Sequence, residues 1–445
     1  MGRIRTNPNR LLRAASPGFT LVELMVAMAA GLLIATAAFS FSKQATRAFA
    51  QEARIASTQM SVLAGFQRLQ ADVSRASYMS SPNFARDAAF NRICEYNNPG
   101  YWPSQLSNLA GLSITVEGSK TAPAVTTLPD GKAPDSVRIV GNLVTAEAFT
   151  VLAILPGQSA GHDVYIRTND GPSTRAGFVG AAGGLFTTVF APGRILRIVD
   201  KQGHQHYSVI SANSWSGGQP FISTTLPLPM KGQGANPMCS IDGIGTDTQV
   251  NVVNIVDYGI TNLSQINKVD YNNTIYSTGT DFSANTAVEL TQRTELVRRE
   301  VLVGQNAAPA FFQDPTAVVV AEYAVDLRFA AWTSNTNVAG CGAPTVGLRY
   351  CPYSSPAIAA TLMSVAGPYS PGNPATGPES VRSVQMRLVT RSREVDRAAD
   401  LTPGAPIPPL TNGAIYRVAV GTGWARARTL VADVALPNQR GDAWN

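Results

Sequence analysis

A single carboxylate lies inside the most apolar stretch of the chain. From Phe19 to Ser42 the only charged residue is Glu23. A charged side chain near the centre of a membrane span costs about 2.5–3.5 kcal/mol, and it is tolerated near an end or beside an opposite charge. If the chain is cut between Gly18 and Phe19, the new amino group of Phe19 supplies that charge, within the chain or from a neighbour. Glu23 is therefore a candidate for aligning helices during assembly.

A serine in the pattern G-x-S-x-G is the main candidate for enzyme chemistry. Ser159 lies within Gly157–Gly161, and His162 and Asp163 follow it directly. A nucleophile elbow needs a strand, a sharp turn and then a helix that supports the serine. Residues 163–166 have the pattern of a strand instead, so we predict a hairpin turn and a protein that is not an enzyme. A membrane-anchored periplasmic hydrolase that uses Ser159 is the alternative.

The chain offers few residue patterns that would bind a metal. His204 and His206 fall on one face of a predicted strand, but no nearby cysteine or carboxylate completes a ligand set. We expect a solvated strand edge there. Three aspartates, Asp242, Asp247 and Asp257, lack the spacing of a calcium loop. The sequence therefore predicts neither a metal site nor a cofactor.

The four cysteines, Cys94, Cys239, Cys341 and Cys351, favour a structural role. None forms a CxxC pair, which argues against a zinc site. An even number of cysteines in an exported protein favours two disulfides, and four cysteines allow three pairings. We favour Cys341–Cys351, which closes a short loop, with Cys94–Cys239 closing a long one. Four unpaired buried thiols are the alternative.

The composition is typical of a folded protein with many turns. Of 445 residues, 44% are hydrophobic and 14% are charged, which supplies a sizeable core and argues against disorder. The 38 glycines and 29 prolines indicate a loop-rich β protein. The net charge is +6, but four arginines precede residue 19, so the remainder carries +2 (6 − 4). So small a charge gives little support for a nucleic-acid partner.

The carboxylate requires a membrane-crossing helix to carry it. Residues 1–18 are basic and polar, and the segment 19–42 reaches roughly 30–35 Å as a helix, which is the thickness of a bilayer core. The basic residues before the span predict a cytoplasmic N-terminus and an exported remainder. No small-residue cleavage site follows the span, so a secretory signal peptide is a poor match. An ordinary signal anchor is the alternative.

The same helix is predicted to continue past the membrane, over residues 43–81. No proline occurs between Pro17 and Pro82. A stripe at helical spacing comprises Ile55, Gln59, Val62, Phe66, Leu69 and Val73. The other face carries Arg54, Arg68, Asp72 and Arg75. We expect the helix, from Phe19 to about Tyr78, to lay this stripe on the globular domain, and a coiled-coil seam is the alternative.

Residues 82–445 are predicted to form a β-rich globular domain. Strand signals bounded by turn residues recur at 136–140, 149–155, 163–167, 194–199, 207–210, 296–302, 318–332, 381–391 and 414–420. Turn-rich segments separate them, notably 340–378 and 402–413. The predicted fold class is α+β, with a long N-terminal helix packed on a mainly antiparallel sheet that carries large loop insertions.

The segment Gly18-Phe19-Thr20-Leu21-Val22-Glu23-Leu24 resembles the prepilin cleavage and methylation motif. Residues 25–34, MVAMAAGLLI, are similar to the PilW family of minor pilins. The resemblance implies that a prepilin peptidase cuts after Gly18 and methylates the amine of Phe19. It also implies that Glu23 is the family's acidic residue at the fifth mature position. The chain departs from the common pattern in its long leader and in Pro17, which replaces a basic residue.

The resemblance further implies a location and partners. Subunits of this family are anchored in the bacterial inner membrane with a periplasmic C-terminal domain and then enter an extracellular pilus, where large ones prime the tip. The implied partners are prepilin peptidase, other minor pilins, the major pilin, the inner-membrane assembly machinery and a tip adhesin. Residues 322–329, 381–392 and 426–438 loosely resemble both PilW-like proteins and J-type pseudopilins. A J-type pseudopilin of a type II secretion system is therefore the alternative function.

Overall fold

The computed structural model describes residues 20–84, 106, 109–116, 133–157, 161–178, 183–200, 203, 205–216, 219–228, 244–262, 294–303, 317–335, 338–344, 347–364, 377–392, 415–419 and 423–439. This part of the chain forms one long helix, fifteen strands and several short helical turns. Two units divide between Gln59 and Met60. The predicted α+β class is confirmed.

Helix α1 runs from Leu21 to Ser74, and its residues up to Gln59 are the secondary structure described in the first unit. Its segment Leu21–Thr46 is long and apolar enough to cross a membrane, and none of it is buried in the protein. Leu32, Ile34 and Phe39 each remain about 70% exposed. A helix that presents large apolar side chains on every side is suited to lipid or to other apolar helices.

The last turns of α1 belong to the second unit and confirm part of the predicted stripe. Val62, Phe66, Leu69 and Val73 are buried, whereas the side chains of Ile55 and Gln59 lie outside the description. The helix ends at Ser74 and not near Tyr78. Ser77 and Met79 adopt left-handed backbone conformations, with φ of 62° and 50°, and the Ser77 N–H donates to the carbonyl of Val140 at 2.9 Å. After Ser74 the chain therefore leaves the helix and forms a backbone hydrogen bond with Val140, a residue of the strand Ser136–Gly141.

The first sheet has five antiparallel strands in the order β1-β2-β8-β9-β10. Their bounds are β1 Leu112–Thr115, β2 Ser136–Gly141, β8 Gln249–Asn262, β9 Thr294–Val301 and β10 Val318–Ala321. The second half of β8 lies in this sheet, between β2 and β9.

The first half of β8 closes a six-stranded antiparallel barrel. The other strands are β3 Phe149–Pro156, β4 His162–Ile166, β5 Ile195–Val199, β6 Gln205–Ser216 and β7 Gln219–Thr224. Their order is β8-β3-β4-β7-β6-β5, and β5 returns to β8. The interior is filled by aliphatic side chains and by Phe149, Phe178, Phe186 and Phe190. Two short helices, α2 Gly171–Arg175 and α3 Phe186–Val189, lie between β4 and β5 in the chain.

The second sheet is also antiparallel, in the order β12-β11-β13-β15-β14. Its strands are β11 Ala324–Thr333, β12 Arg349–Cys351, β13 Val381–Arg391, β14 Ile415–Ala419 and β15 Gly423–Ala435. The two sheets share one apolar core with the end of α1, because Phe66 and Leu69 cluster with Ile139 of the first sheet and Phe329 of the second.

Several strand predictions need correction. The predicted strand 318–332 is two strands, because Tyr323 adopts a left-handed conformation, with φ of 53°, between β10 and β11. Strands β1, β7, β8 and β12 were not predicted. His206 was expected on a solvated edge, but it is buried and its strand lies between β5 and β7.

Candidate functional site

The N-terminal end of α1 holds the candidate assembly carboxylate. Gly18 and Phe19, the predicted cleavage pair, lie outside the described residues, which begin at Thr20. The helix starts at Leu21, so Glu23 is its third residue and lies at the end of the apolar span. A position near the end of a span is where a carboxylate is least costly.

Thr20 and Glu23 form a capping box. The Thr20 N–H donates to Glu23 Oε2 at 3.0 Å, and the Thr20 hydroxyl donates to the same oxygen at 2.9 Å. In return, the Glu23 N–H donates to Thr20 Oγ1 at 3.3 Å. Such reciprocal bonds satisfy amide groups that the first helical turn leaves without partners, and a negative charge there also complements the helix dipole. Glu23 therefore caps its own helix.

The capping geometry leaves part of the Glu23 carboxylate available. Both hydrogen bonds from Thr20 use Oε2, and no described residue donates to Oε1. A carboxylate can accept several hydrogen bonds. The same side chain can thus cap the helix and accept a bond from an ammonium group. The T-x-x-E pattern of a capping box was present in the sequence and was not used in predicting this contact.

A buried ionic cluster fixes the other end of α1 in the second unit. The Tyr258 hydroxyl and Arg298 Nε both donate to Asp72 Oδ2, at 2.7 and 2.8 Å. The side chains of Arg298 and Asp72 are only 15% and 13% exposed. Asp72 was predicted on the outer face of the helix, and that prediction was wrong. Its partners come from β8 and β9, which a helical pattern does not reveal.

The cluster also sets the protonation of its members. Burial alone would lower the pKa of Arg298, but hydrogen bonding and attraction to Asp72 outweigh it and raise that pKa. Burial, followed by the nearby Asp72 charge, raises the pKa of Tyr258 far above its usual value. The raised pKa favours the protonated Tyr258 hydroxyl, which donates its hydrogen to Asp72.

A glycine allows α1 to approach the first sheet closely. A Cβ built on Gly65 would lie 2.1 Å from the carbonyl oxygen of Val320 in β10 and 2.9 Å from its carbonyl carbon. Real Cβ atoms do not approach backbone atoms so closely. Gly65 is therefore the residue at which helix and strand touch, and any larger side chain would separate them.

A disulfide joins Cys341 and Cys351, the short-loop pair favoured from the sequence. It ties β12 to the segment that precedes it. Cys94 and Cys239 lie outside the described residues, so their pairing remains a prediction. A disulfide is typical of an exported protein.

The enzyme-like motifs do not form a recognisable catalytic site in the described part of the chain. Ser159 and His204 lie outside it. The residues that flank Ser159 form a hairpin, because Pro156 pairs with His162 and the Gly157 N–H donates to the carbonyl of Gly161. A strand therefore follows the motif, where a nucleophile elbow needs a helix. Among the described residues, no group of three or more histidine, cysteine, aspartate or glutamate side chains is placed to hold a metal ion.

Comparison with known proteins gives a family match at the N-terminus. The family model for the prokaryotic N-terminal methylation motif matches residues 13–39, which include Gly18, Phe19 and Glu23. No curated protein matches the chain, and no solved structure does. The motif supports a type IV pilin-like or pseudopilin-like subunit that is processed at its N-terminus, and together with the apolar helix it fits a membrane anchor. The chain is thus similar to such subunits over residues 13–39, which include the start of α1.

Proposed function

We propose that this protein is a minor pilin of the PilW type that is incorporated into a type IV pilus. The observation that carries the proposal is the methylation motif at residues 13–39, placed on an apolar helix whose third residue is Glu23. The Thr20–Glu23 cap would serve any helix, so the match to the methylation motif is what favours an assembling helix over a plain membrane anchor.

Processing creates the charge that Glu23 requires. Prepilin peptidase hydrolyses the amide between Gly18 and Phe19, which leaves a carboxylate on Gly18 and an amine on Phe19. Methylation then transfers a methyl group from a separate activated methyl donor to the Phe19 nitrogen, which releases one proton, and the resulting secondary amine stays cationic at neutral pH. That cation pairs with Glu23 of the same chain or of a neighbouring subunit. The pair neutralises two charges that would otherwise be costly in an apolar helix bundle.

The size of the second unit supports a place at the pilus tip. It combines two five-stranded sheets with a six-stranded barrel, and a tip position requires no subunit stacked above this mass. Its partners there are other minor pilins, the major pilin and an adhesin. Before assembly, the subunit resides in the inner membrane with its N-terminus in the cytoplasm and its globular domain in the periplasm, where the disulfide Cys341–Cys351 is stable.

The test compares the full chain from cells with and without prepilin peptidase, by intact mass and N-terminal analysis. The expected mature chain begins at N-methylated Phe19 and appears only with the peptidase. An uncut chain in both strains would refute the proposal and leave a signal-anchored protein. Purified pili are then examined for the mature chain. Its absence from pili, with a secretion defect in a deletion strain, would identify a J-type pseudopilin instead.

A further inference from the structure

The second sheet carries aromatic side chains on the face that lies opposite the apolar core. In β11, Phe329 and Ala331 are buried in that core together with Cys351 of β12. Side chains alternate along a strand, so their neighbours Trp332 and Tyr350 lie on the other face. These two residues are paired across β11 and β12, and the centres of their rings are 4.9 Å apart. Both side chains are partly exposed.

The Tyr350 ring lies along the sheet and does not stand away from it. Its hydroxyl donates to Gln385 Oε1 in β13 at 3.3 Å, although β11 separates β12 from β13. The side chain must therefore cross over β11, where Ala330 is the Cα partner of Gln385 and is fully buried. A ring in this position has one side against the sheet and the other side directed outward.

Polar groups lie beside the Tyr350 ring. Gln385 Nε2 donates to Asp433 Oδ2 at 3.3 Å, between two residues that face each other across β13 and β15. Asp433 is exposed, and no described residue donates to its other oxygen, Oδ1. Val431, two residues earlier in β15, is 53% exposed. We call Trp332, Tyr350, Gln385 and Asp433 the aromatic face, because its rings are bordered by an amide and by a carboxylate that can accept further hydrogen bonds.

The charges beside the aromatic face favour a neutral ligand. Arg387 donates to Asp326 Oδ2 at 3.2 Å. Arg328 also pairs with Asp326, and it lies 3.5 Å from Asp135, so these four groups together carry no net charge. Asp433 then contributes an exposed negative charge next to the rings. An acidic ligand would be repelled there, whereas a neutral one would not.

Rings and hydrogen-bond acceptors in this arrangement suit a sugar. The face of an aromatic ring is electron-rich and attracts the weakly positive C–H groups of a pyranose. The hydroxyls around the pyranose can donate to Asp433, and they can both donate to and accept from Gln385. A proline-rich peptide could also stack on the rings, but proline has no N–H to give to the carboxylate. A single-stranded nucleic acid could stack its bases, but Asp433 would repel its phosphates.

We propose that the aromatic face binds a neutral saccharide through a pyranose ring stacked on Tyr350. The Trp332 indole borders the bound sugar, and the sugar hydroxyls bond to Asp433 and Gln385. The inference goes beyond the proposed function and does not depend on it, because it uses side chains of the second unit and not the N-terminal motif. A chain that is never cleaved should bind the same sugar.

The first test measures the binding of three neutral probes, cellohexaose, chitohexaose and β-1,4-linked galactohexaose, to the full chain by isothermal titration calorimetry. The detergent has no sugar headgroup, because a glycoside detergent would compete. Saturable binding of at least one probe is expected, and Tyr350→Ala and Asp433→Ala should each weaken it about tenfold or more. Tyr165→Ala is the matched control, since it removes a partly exposed ring from the outside of the barrel.

The second test reads the stacking directly by saturation-transfer NMR. Irradiation of the aromatic protons of the protein should saturate the C–H groups on one face of the pyranose more strongly than its exocyclic CH₂ group. Thermal unfolding of each variant verifies the fold, and Asp433→Ala decides the matter if Tyr350→Ala disturbs β12, because Asp433 is exposed.

Three results would each overturn the proposal. The first is that none of the neutral probes binds saturably. The second is unchanged binding in either Tyr350→Ala or Asp433→Ala. The third is preferential binding of hexagalacturonate, an acidic saccharide. Decaproline that binds the wild type but not Tyr350→Ala, without any binding of the sugars, would identify a peptide-binding face instead.

Discussion

Removal of Asp72 is expected to destabilise the second unit by about 3–5 kcal/mol, because it leaves a buried arginine without its counter-charge. The Asp72 and Arg298 side chains are 13% and 15% exposed, so water screens the pair only slightly. In the Asp72→Ala variant, Arg298 Nε and the Tyr258 hydroxyl both lose the oxygen to which they donate. The cost of these unpaired buried groups accounts for most of the expected loss.

A double-mutant cycle separates the charge from the packing. Arg298→Met alone should cost about as much as Asp72→Ala, since it leaves the carboxylate buried. The combined variant should lose less than the sum of the two by about 3 kcal/mol or more, because replacing both partners of a buried pair is often nearly neutral. Gln67→Ala, on the exposed face of the same helix, is the matched control and should change stability by less than about 0.5 kcal/mol.

The assay is urea unfolding of the full chain in detergent, followed by tryptophan fluorescence and far-ultraviolet circular dichroism. Coincident transitions show that one free energy describes the second unit. Additive losses in the double variant, or a loss below about 1 kcal/mol for Asp72→Ala, would refute the assignment of Asp72 as the anchor of the helix.

Three further predictions concern the same unit. Gly65→Ala should destabilise the second unit by about 1–3 kcal/mol, because the new Cβ would collide with the Val320 carbonyl. This loss is expected even though replacing glycine with alanine normally stabilises a helix by about 1 kcal/mol. A gain in stability in urea unfolding would contradict the prediction. Burial lowers the pKa of His162, which accepts a bond from the Leu228 N–H at 2.9 Å. Below about pH 6.5 the unfolded state binds that proton more readily, so stability falls as pH falls further, and His162→Asn should flatten this slope between about pH 7 and 5. Replacing both Cys341 and Cys351 with alanine should lower the free energy of unfolding by about 2–3 kcal/mol, because the short loop is no longer closed in the unfolded state. The variant is compared with the wild type with and without reductant. Equal stability in all three samples would argue against a structural role for the disulfide.

Features that depend on local sequence were predictable. The end of α1 shows its buried stripe as apolar residues at helical spacing, and β13 was predicted at its observed bounds, 381–391. Thr20 and Glu23 are three residues apart and form a cap from local contacts alone.

Features that depend on distant partners were not predictable. Asp72 binds Tyr258 and Arg298, which follow it in the sequence by 186 and 226 positions. Because these partners are distant, the charge of Asp72 led to the wrong prediction that it faces solvent. Strand β8 was missed because Asn251, Asn254 and Asp257 interrupt its apolar pattern. Those polar side chains are nevertheless buried. Their burial is tolerated because they have partners: Asn251 donates to the Met79 carbonyl, and Asp257 accepts hydrogen bonds from Arg138. The sequence does not show which partners will satisfy a buried polar group.

The sharing of β8 between the barrel and the first sheet has a mechanical consequence. A domain inserted through two loops can swing when it is pulled, because only its loops carry the load. Here one 14-residue strand runs through both bodies, flanked first by β3 and β5 and then by β2 and β9. Tension along β8 acts perpendicular to the hydrogen bonds that join it to its neighbours. All the bonds of a ladder then share the load, and they must break together rather than one after another. Force applied to the barrel should therefore reach the core around α1 without a hinge between them.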